Sequence, residues 1–398
     1  MKFFATTAKG LEPVLFEELK KIASELSPQA IQDAKKNNET ILVSEPKRAG
    51  IEFQGPLEFA YRACLYSRVA SRILLPLKTF DCPTPEKLYG NIKSIQWDKH
   101  MSVDQTLAVD FSTSHSDITH SQFGALKTKD AIVDQFRSNT GRRPSVNTQN
   151  PDLRVNVYLN NNQATVSLDL SGHSLHERGY RTDARIAPLK ENLAAALLLL
   201  ARYEDVLQKN GALVDPMTGA GTLAIEAALI ATRTPPGLLN PKMGFESWKQ
   251  HDAPLWGALK MLAERNRILD PKKIPPIVGY DADYRAVAIA IRNAENAGLR
   301  GIVHFEKREL NDAVPPPRVD TGLFIVNPPY GERLGEEEEL KPLYRQIGDM
   351  MKQRYKGWNG AVLTGSMPLS KEVGLKASKR HVVYNGAIEC RLLTYDLY

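Results

Sequence analysis

The sequence predicts an α+β region up to about residue 187, followed by an α/β region whose sheet is mostly parallel and covered on both faces. Two observations carry this. Short β-type runs alternate with helical patterns in the first part, whereas from Pro188 onward strands alternate with longer helices. A third is where the special residues fall: in the second part, apolar strands end in Asp or Asn beside Gly or Pro, so the chemistry gathers at one edge of the sheet.

In chain order, Phe3 to Thr7 reads as a strand, and Leu11, Val14, Leu15, Leu19 and Ile22 recur at helical spacing toward a stop near Ser27 and Pro28. Ile51 to Phe53 is a short strand, and Pro56 opens a helix through Leu57, Ala60, Tyr61 and Leu65. Leu107 to Phe111, Leu153 to Leu159 and Ala164 to Leu170 are strands, with a helix over Phe123 to Phe136. Asn139 to Asn150, holding Gly141, Arg142, Arg143 and Pro144, is a basic loop. Boundaries are expected near Gly55 and across the polar, Arg-rich connector Ser171 to Ala187, giving segments 1–55, 56–170, 171–187 and 188–398. In the last segment Leu189 to Tyr203 is a helix. Ala212 to Asp215, Pro276 to Tyr280, Ile302 to Phe305, Gly322 to Val326 and Gly360 to Thr364 are strands. Thr232 to Lys273 is long for a connection, contains the helical run Leu255 to Leu269, and reads as a functional insertion.

Composition narrows the class. With 398 residues, 42% hydrophobic and 25% charged, the chain suits a soluble protein of two or three domains. The longest apolar run, Leu193 to Ala201, is about half a membrane span. Three cysteines, Cys64, Cys82 and Cys390, lack CxxC spacing, and His173, His176 and His304 have no second ligand at metal spacing, so no metal site and a reducing cytoplasm are expected. A net charge of +6 permits a polyanionic partner bound through local clusters.

Three motifs carry chemistry. In Asp215-Pro216-Met217-Thr218-Gly219-Ala220-Gly221-Thr222 an apolar strand meets a glycine-rich turn and a helix start. There is no P-loop lysine, and Asp215 would repel a phosphate, so a cationic, amino-acid-bearing ligand suits the turn better. Gly279-Tyr280-Asp281-Ala282-Asp283 puts a carboxylate where α/β nucleotide folds hold ribose hydroxyls, with a helix N-cap as the plain alternative. In Asn327-Pro328-Pro329-Tyr330 the diproline removes two N–H donors and leaves fixed carbonyls. The Asn327 side-chain oxygen and the Pro328 carbonyl can accept both protons of an exocyclic amine while Tyr330 stacks on the attached ring.

DPMTGAGT, GYDAD and NPPYGER, in this order, resemble motifs of S-adenosylmethionine-dependent methyltransferases that act on exocyclic amines. With NPPYGERLG, DPMTGAGTLAIEAA and APLKENLAAALL, the chain is similar to the THUMP-containing RNA guanine-N2 methyltransferases, in particular the large-subunit ribosomal RNA methyltransferase L type. The resemblance implies a Rossmann-like class I methyltransferase domain with a seven-stranded, mostly parallel sheet, preceded by ferredoxin-like and THUMP domains. It also implies S-adenosylmethionine as cofactor and 23S ribosomal RNA or an assembly intermediate as partner. Asp215, Met217, Gly219, Gly221 and Thr222 are then expected at the methionine end, Asp281 at the ribose, and Ala282 and Glu309 at the adenine. Glu309 stands where that family usually has Asp. Asn327, Pro328 and Tyr330 are expected to form the target-base site, reached by a guanine that leaves its stack. Many relatives carry a second C-terminal methyltransferase domain; ending at Tyr398, this chain is expected to make one modification, as a monomer.

Arg142, Arg143, Arg154, Arg178, Arg181 and Arg185 form a cluster expected to contact phosphates. Transfer RNA is the alternative substrate, a DNA adenine methyltransferase is disfavoured by the THUMP-like N-terminus, and a non-catalytic RNA-binding or ribosome-assembly factor is the reading from another class.

Overall fold

The computed structural model describes residues 1–47, 49–181, 189–330 and 336–398, the last from its backbone alone at Glu336. It forms two compact units. One comprises Met1–Thr7, Phe16–Leu175 and Pro241–Lys260, the other Ala8–Leu15, His176–Asn240 and Met261–Tyr398.

The first unit is built on strands β1 (Lys2–Thr6), β2 (Leu42–Val43), β3 (Gly50–Gln54), β4 (Arg72–Asp81), β5 (Thr106–Ser114), β6 (Ser145–Val146), β7 (Leu153–Asn160) and β8 (Gln163–Asp169). They make one sheet in the order β2-β3-β1-β4-β8-β7-β5-β6. The alternation that announced β7 is a burial pattern: Leu153, Val155, Val157 and Leu159 are all buried, and the residues between them are not. Strand β4 joins the two halves of the sheet, pairing with β1 on one side and β8 on the other. The boundary expected near Gly55 therefore falls within one continuous sheet. β4 itself escapes sequence reading because Pro76 lies inside it; the ladder absorbs the missing donor by a register shift between Pro76 and Lys78. The helix Ser121–Thr140 runs one turn past Phe136 and stops at Gly141, whose φ of +72° makes the left-handed cap. That leaves Arg142 and Arg143 exposed in the following loop.

Part of the expected insertion belongs to this unit. Phe245 N–H donates to the Leu170 carbonyl (2.9 Å), and its ring stacks on Tyr61 at 4.1 Å between centroids. Gly172 and Gly244 meet backbone to backbone, where a Cβ on Gly244 would come within 2.6 Å of the Gly172 Cα. The stretch read as a functional insertion of the C-terminal domain thus supplies core to the N-terminal unit over Pro241–Lys260.

The second unit holds β9 (Ala212–Asp215), β10 (Ile277–Asp281), β11 (Val303–Lys307), β12 (Gly322–Val326), β13 (Asn359–Thr364), β14 (Lys379–Asn385) and β15 (Ile388–Asp396), in the order β11-β10-β9-β12-β13-β15-β14. The first five are parallel and the C-terminal hairpin is antiparallel, the seven-stranded, mostly parallel sheet that was expected. β9 and β12 are buried throughout, as strands covered on both faces must be. The helix expected over Leu189 to Tyr203 ends at Leu200, because Arg202 takes φ +60° and a second helix starts at Tyr203. Strand order reverses between β9 and β12, so the crevice beyond their carboxyl ends is where this architecture places a ligand. Among the described residues no helix is long and apolar enough to cross a membrane, and no three His, Cys, Asp or Glu side chains cluster as metal ligands.

Candidate active site at the carboxyl edge of the parallel sheet

Asp215 ends β9 and is buried. Burial, reinforced by the charge of Asp281, pushes its carboxyl up to about 7, against the opposing hydrogen bond from the Met217 N–H (3.3 Å). The turn that follows is tied to β10: Thr218 N–H donates to the Tyr280 carbonyl (2.8 Å), and Gly219 N–H donates to Asp281 Oδ2 (2.9 Å). Asp281 takes a second backbone N–H, from Asp283, on Oδ1 (2.9 Å). The helix cap weighed as an alternative for this pair falls to Asp283, which accepts from Arg285 N–H (2.8 Å) at the start of Tyr284–Asn296. Ala282 lies exposed between them. Arg308 N–H donates to the Asp281 carbonyl (2.9 Å), which brings the exit of β11, with exposed Glu309, to the same edge.

The two turn glycines differ in kind. Gly221 has φ +84°, and a Cβ there would stand 2.9 Å from Phe305 Cζ and 3.0 Å from Ala290 Cβ; Gly219 has φ +52° and nothing within 4 Å of its Cβ position. Gly221→Ala is therefore expected to lower the melting temperature by clash as well as backbone strain. Gly219→Ala should cost only the strain, about 1–2 kcal/mol, and act by filling space beside the turn that a ligand needs. Thermal unfolding and ligand titration of both variants separate the two effects.

β12 lies next to β9 with Phe324 opposite Val214, so Asn327 and Met217, each three residues on, emerge at the same edge. Asn327 Oδ1 is buried and has no hydrogen-bond partner among the described residues. A buried carbonyl oxygen left so costs free energy on the order of 1–3 kcal/mol, and at this sheet edge it leaves an acceptor open to a ligand. The Tyr344 hydroxyl donates to the Pro329 carbonyl at 3.2 Å and meets Thr364 Oγ1 at 3.0 Å, bracing the diproline from beneath. Tyr330 is half-buried, its hydroxyl accepting from the Asn385 side-chain amide (3.0 Å), and a Cβ on Gly365 would come within 2.9 Å of its ring. Tyr344, Gly365 and Asn385 went unrecognised in the sequence. Asn385 had a usable signal, since Asn385-Gly386 flanked by alternating apolar residues announces the β14–β15 hairpin. The motif continues through Gly331, Glu332 and Arg333, which lie outside the described residues.

The arginine cluster divides. Arg142 and Arg143 are exposed, Arg142 paired with Asp104. Arg154 is nearly buried, bonded to the Gly172 carbonyl (2.9 Å) and Asp110 (3.0 Å). Arg178 is buried beside Glu226 at 3.6 Å, which corrects its expected role, because a withdrawn and paired guanidinium does not reach a phosphate. Arg181 is held by Glu191 (3.2 Å) and Thr222 (3.0 Å). Arg185 lies outside the described residues.

Comparison with known proteins fits this geometry. The family described as "RMKL-like, methyltransferase domain" matches residues 178–394, the THUMP domain matches 82–169, and the RlmL ferredoxin-like domain matches 41–74. The ribosomal RNA large subunit methyltransferase K/L of Methylococcus capsulatus is 48% identical over 99% of this chain and 51% of its own length. That of Syntrophotalea carbinolica is 47% identical over 100% and 54%. The chain thus spans about half the length of the curated relatives it matches. Among solved structures, SMU.472 complexed with SAH is 28% identical with a TM-score of 0.83, covering 100% of this chain and 98% of that one. With a matched domain that contains the Asp215 turn, Asp281 and the Asn327 strand end, the chain belongs to the RMKL-like methyltransferase family.

Proposed function

We propose that the chain transfers a methyl group from S-adenosylmethionine to the exocyclic N2 of a guanine in 23S ribosomal RNA. The observation that carries the reading is the buried Asn327 oxygen, without a partner among the described residues, beside a diproline at the same sheet edge as the Asp215 turn. The names of the K/L relatives and the THUMP match support the RNA substrate.

The residues fit the cofactor. Burial raises the pKa of the Asp215 carboxyl, and the ammonium of a bound methionine moiety supplies the counter-charge that favours its ionised form. Asp281 stands at the tip of the neighbouring strand for a ribose, and the open Gly219 side of the turn admits the ligand. When bound, S-adenosylmethionine supplies a methyl group already activated by its sulfonium. The protein's part is then positioning. Asn327 Oδ1 and the Pro328 carbonyl accept the two amine protons, hold the nitrogen lone pair toward the methyl group, and stabilise positive charge as it develops. Tyr330, its hydroxyl fixed by Asn385, offers an aromatic face to a guanine taken out of its stack. As the C–N bond forms the C–S bond breaks, leaving the neutral thioether; one of the two amine protons then passes to solvent, and no residue is assigned as its base.

Arg142 and Arg143, exposed beyond the Gly141 cap, are the phosphate contacts of this proposal. Replacing both with alanine is expected to weaken RNA binding uniformly across sequences and to reduce the salt slope by about 1 to 2; filter binding at several salt concentrations measures it.

The deciding experiment is mass spectrometry of nucleosides from 23S rRNA and tRNA of cells with and without the gene. Loss of one N2-methylguanosine from 23S rRNA is expected. Its loss from tRNA would overturn the substrate, and no change in either would overturn the enzymatic reading in favour of an RNA-binding assembly factor.

A further inference from the structure

Two arginines expected at the RNA surface, Arg178 buried and Arg181 half-buried, instead lie against the helix that opens at the glycine turn. Thr222 and Glu226 lie one turn apart on one face of the helix Thr222–Ala231. Arg178 pairs with Glu226 at 3.6 Å, and the Tyr180 hydroxyl donates to the same carboxylate at 3.2 Å. Arg181 donates to Thr222 Oγ1 at 3.0 Å and to the Leu189 carbonyl, and it pairs with Glu191 at 3.2 Å. Asn296 donates to the Tyr180 carbonyl at 3.1 Å, fixing the backbone between the two arginines.

Buried ion pairs give little net stability, because desolvation offsets most of their attraction, while their geometry is specific. What this cluster specifies is the start of the helix. Arg181 reaches three groups at once through a planar fork, which a lysine cannot imitate. By donating to Thr222 Oγ1 it occupies an acceptor position of that hydroxyl, so the hydroxyl's own proton is turned elsewhere. Among the described residues no acceptor takes that proton.

We infer that Arg181 is a positioning residue of the cofactor site: it orients the Thr222 hydroxyl as a donor to the carboxylate of the bound cofactor's methionine moiety. The inference rests on the proposed methyltransferase reading. It divides the amino-acid end of the ligand between Asp215, which takes the ammonium, and the start of the helix, where N–H groups and Thr222 face an anion. It also removes Arg181 from the RNA contacts.

Isothermal titration of the full chain with S-adenosylhomocysteine tests it, with RNA binding measured in parallel. Wild-type protein should bind the ligand; no binding would overturn the methyltransferase reading and this inference together. Arg181→Met should weaken that binding about tenfold or more, as expected for a charge-directed hydrogen bond left unset, and leave the RNA affinity and its salt slope unchanged. Unchanged ligand affinity in Arg181→Met, with wild type binding normally, overturns the inference alone, as does a reduced RNA salt slope. Thr222→Val keeps every other Arg181 partner and serves if Arg181→Met does not fold. It should lose affinity to the same degree, Thr222→Ser should recover it, and adding Arg181→Met to Thr222→Val should cost little more. Full affinity in Thr222→Val, or additive losses in the double variant, would count against the assignment.

Discussion

Asn327→Ala is expected to slow methyl transfer by about 10²- to 10³-fold while binding of S-adenosylhomocysteine and RNA stays near wild type. The size follows from what the side chain does. Its Oδ1 is buried without a partner among the described residues, so the wild-type protein carries the cost of an unsatisfied acceptor until an amine arrives. Truncation relieves that cost in the free protein and removes stabilisation only as the nitrogen becomes positive. The signature is a loss in kcat larger than any change in KM. Single-turnover transfer of a labelled methyl group, with RNA above its dissociation constant, isolates this step. A modest stability gain in the free variant should accompany the loss, because an apolar methyl needs no partner. If Asn327→Ala transferred methyl at the wild-type rate, the amine-gripping role would be wrong, whatever its effect on stability.

How much of this site could be read before the fold was known depends on how local each signal is. Asp215, Gly219, Gly221, Asp281 and Asn327 lie where an apolar strand gives way to a turn, so strand, breaker and functional group sit within a few residues of one another. β9, β10 and β12 were legible for the same reason. Tyr344 and Gly365 carry no such mark: a helix tyrosine and a strand-end glycine acquire roles only because β12 and β13 lie side by side, bringing them to Pro329 and Tyr330. Arg178 shows the opposite failure. Its neighbours are His, Glu, Gly and Arg, the composition of a solvated loop, and nothing nearby reveals that Glu226 waits 48 positions on, on a helix apolar all round. The place of Pro241–Lys260 is hidden because sequence order puts it among the elements of the parallel sheet, whereas Phe245 and Gly244 pack on Tyr61 and Gly172. Long-range pairing of this kind leaves no periodicity.

Asp215→Asn should make the ligand-free protein more stable above neutral pH and yet unable to hold its cofactor. In the folded chain burial raises the Asp215 carboxyl to about 7, from an ordinary value of 3.8. Between those two values the folded state binds more protons than the unfolded chain, so stability falls as pH rises through this window and levels off above about 7. The shift corresponds to a penalty on the order of 4 kcal/mol at pH 8. An amide has the shape of the protonated acid and no such charge, so the variant should escape the penalty; thermal unfolding of the ligand-free proteins at pH 5 and pH 8 should show a gap that opens only at the higher pH. Binding should run the other way. A cationic ammonium selects the ionised carboxylate, so wild-type affinity for S-adenosylhomocysteine should rise about tenfold per pH unit up to about pH 7 and then flatten, while that of Asp215→Asn should be weak throughout and lack this rise. The residue is thus held in a state that costs the empty protein stability because the same buried charge is what the ligand neutralises. Tight, pH-independent binding by Asp215→Asn would remove Asp215 from the cofactor site and leave its burial unexplained.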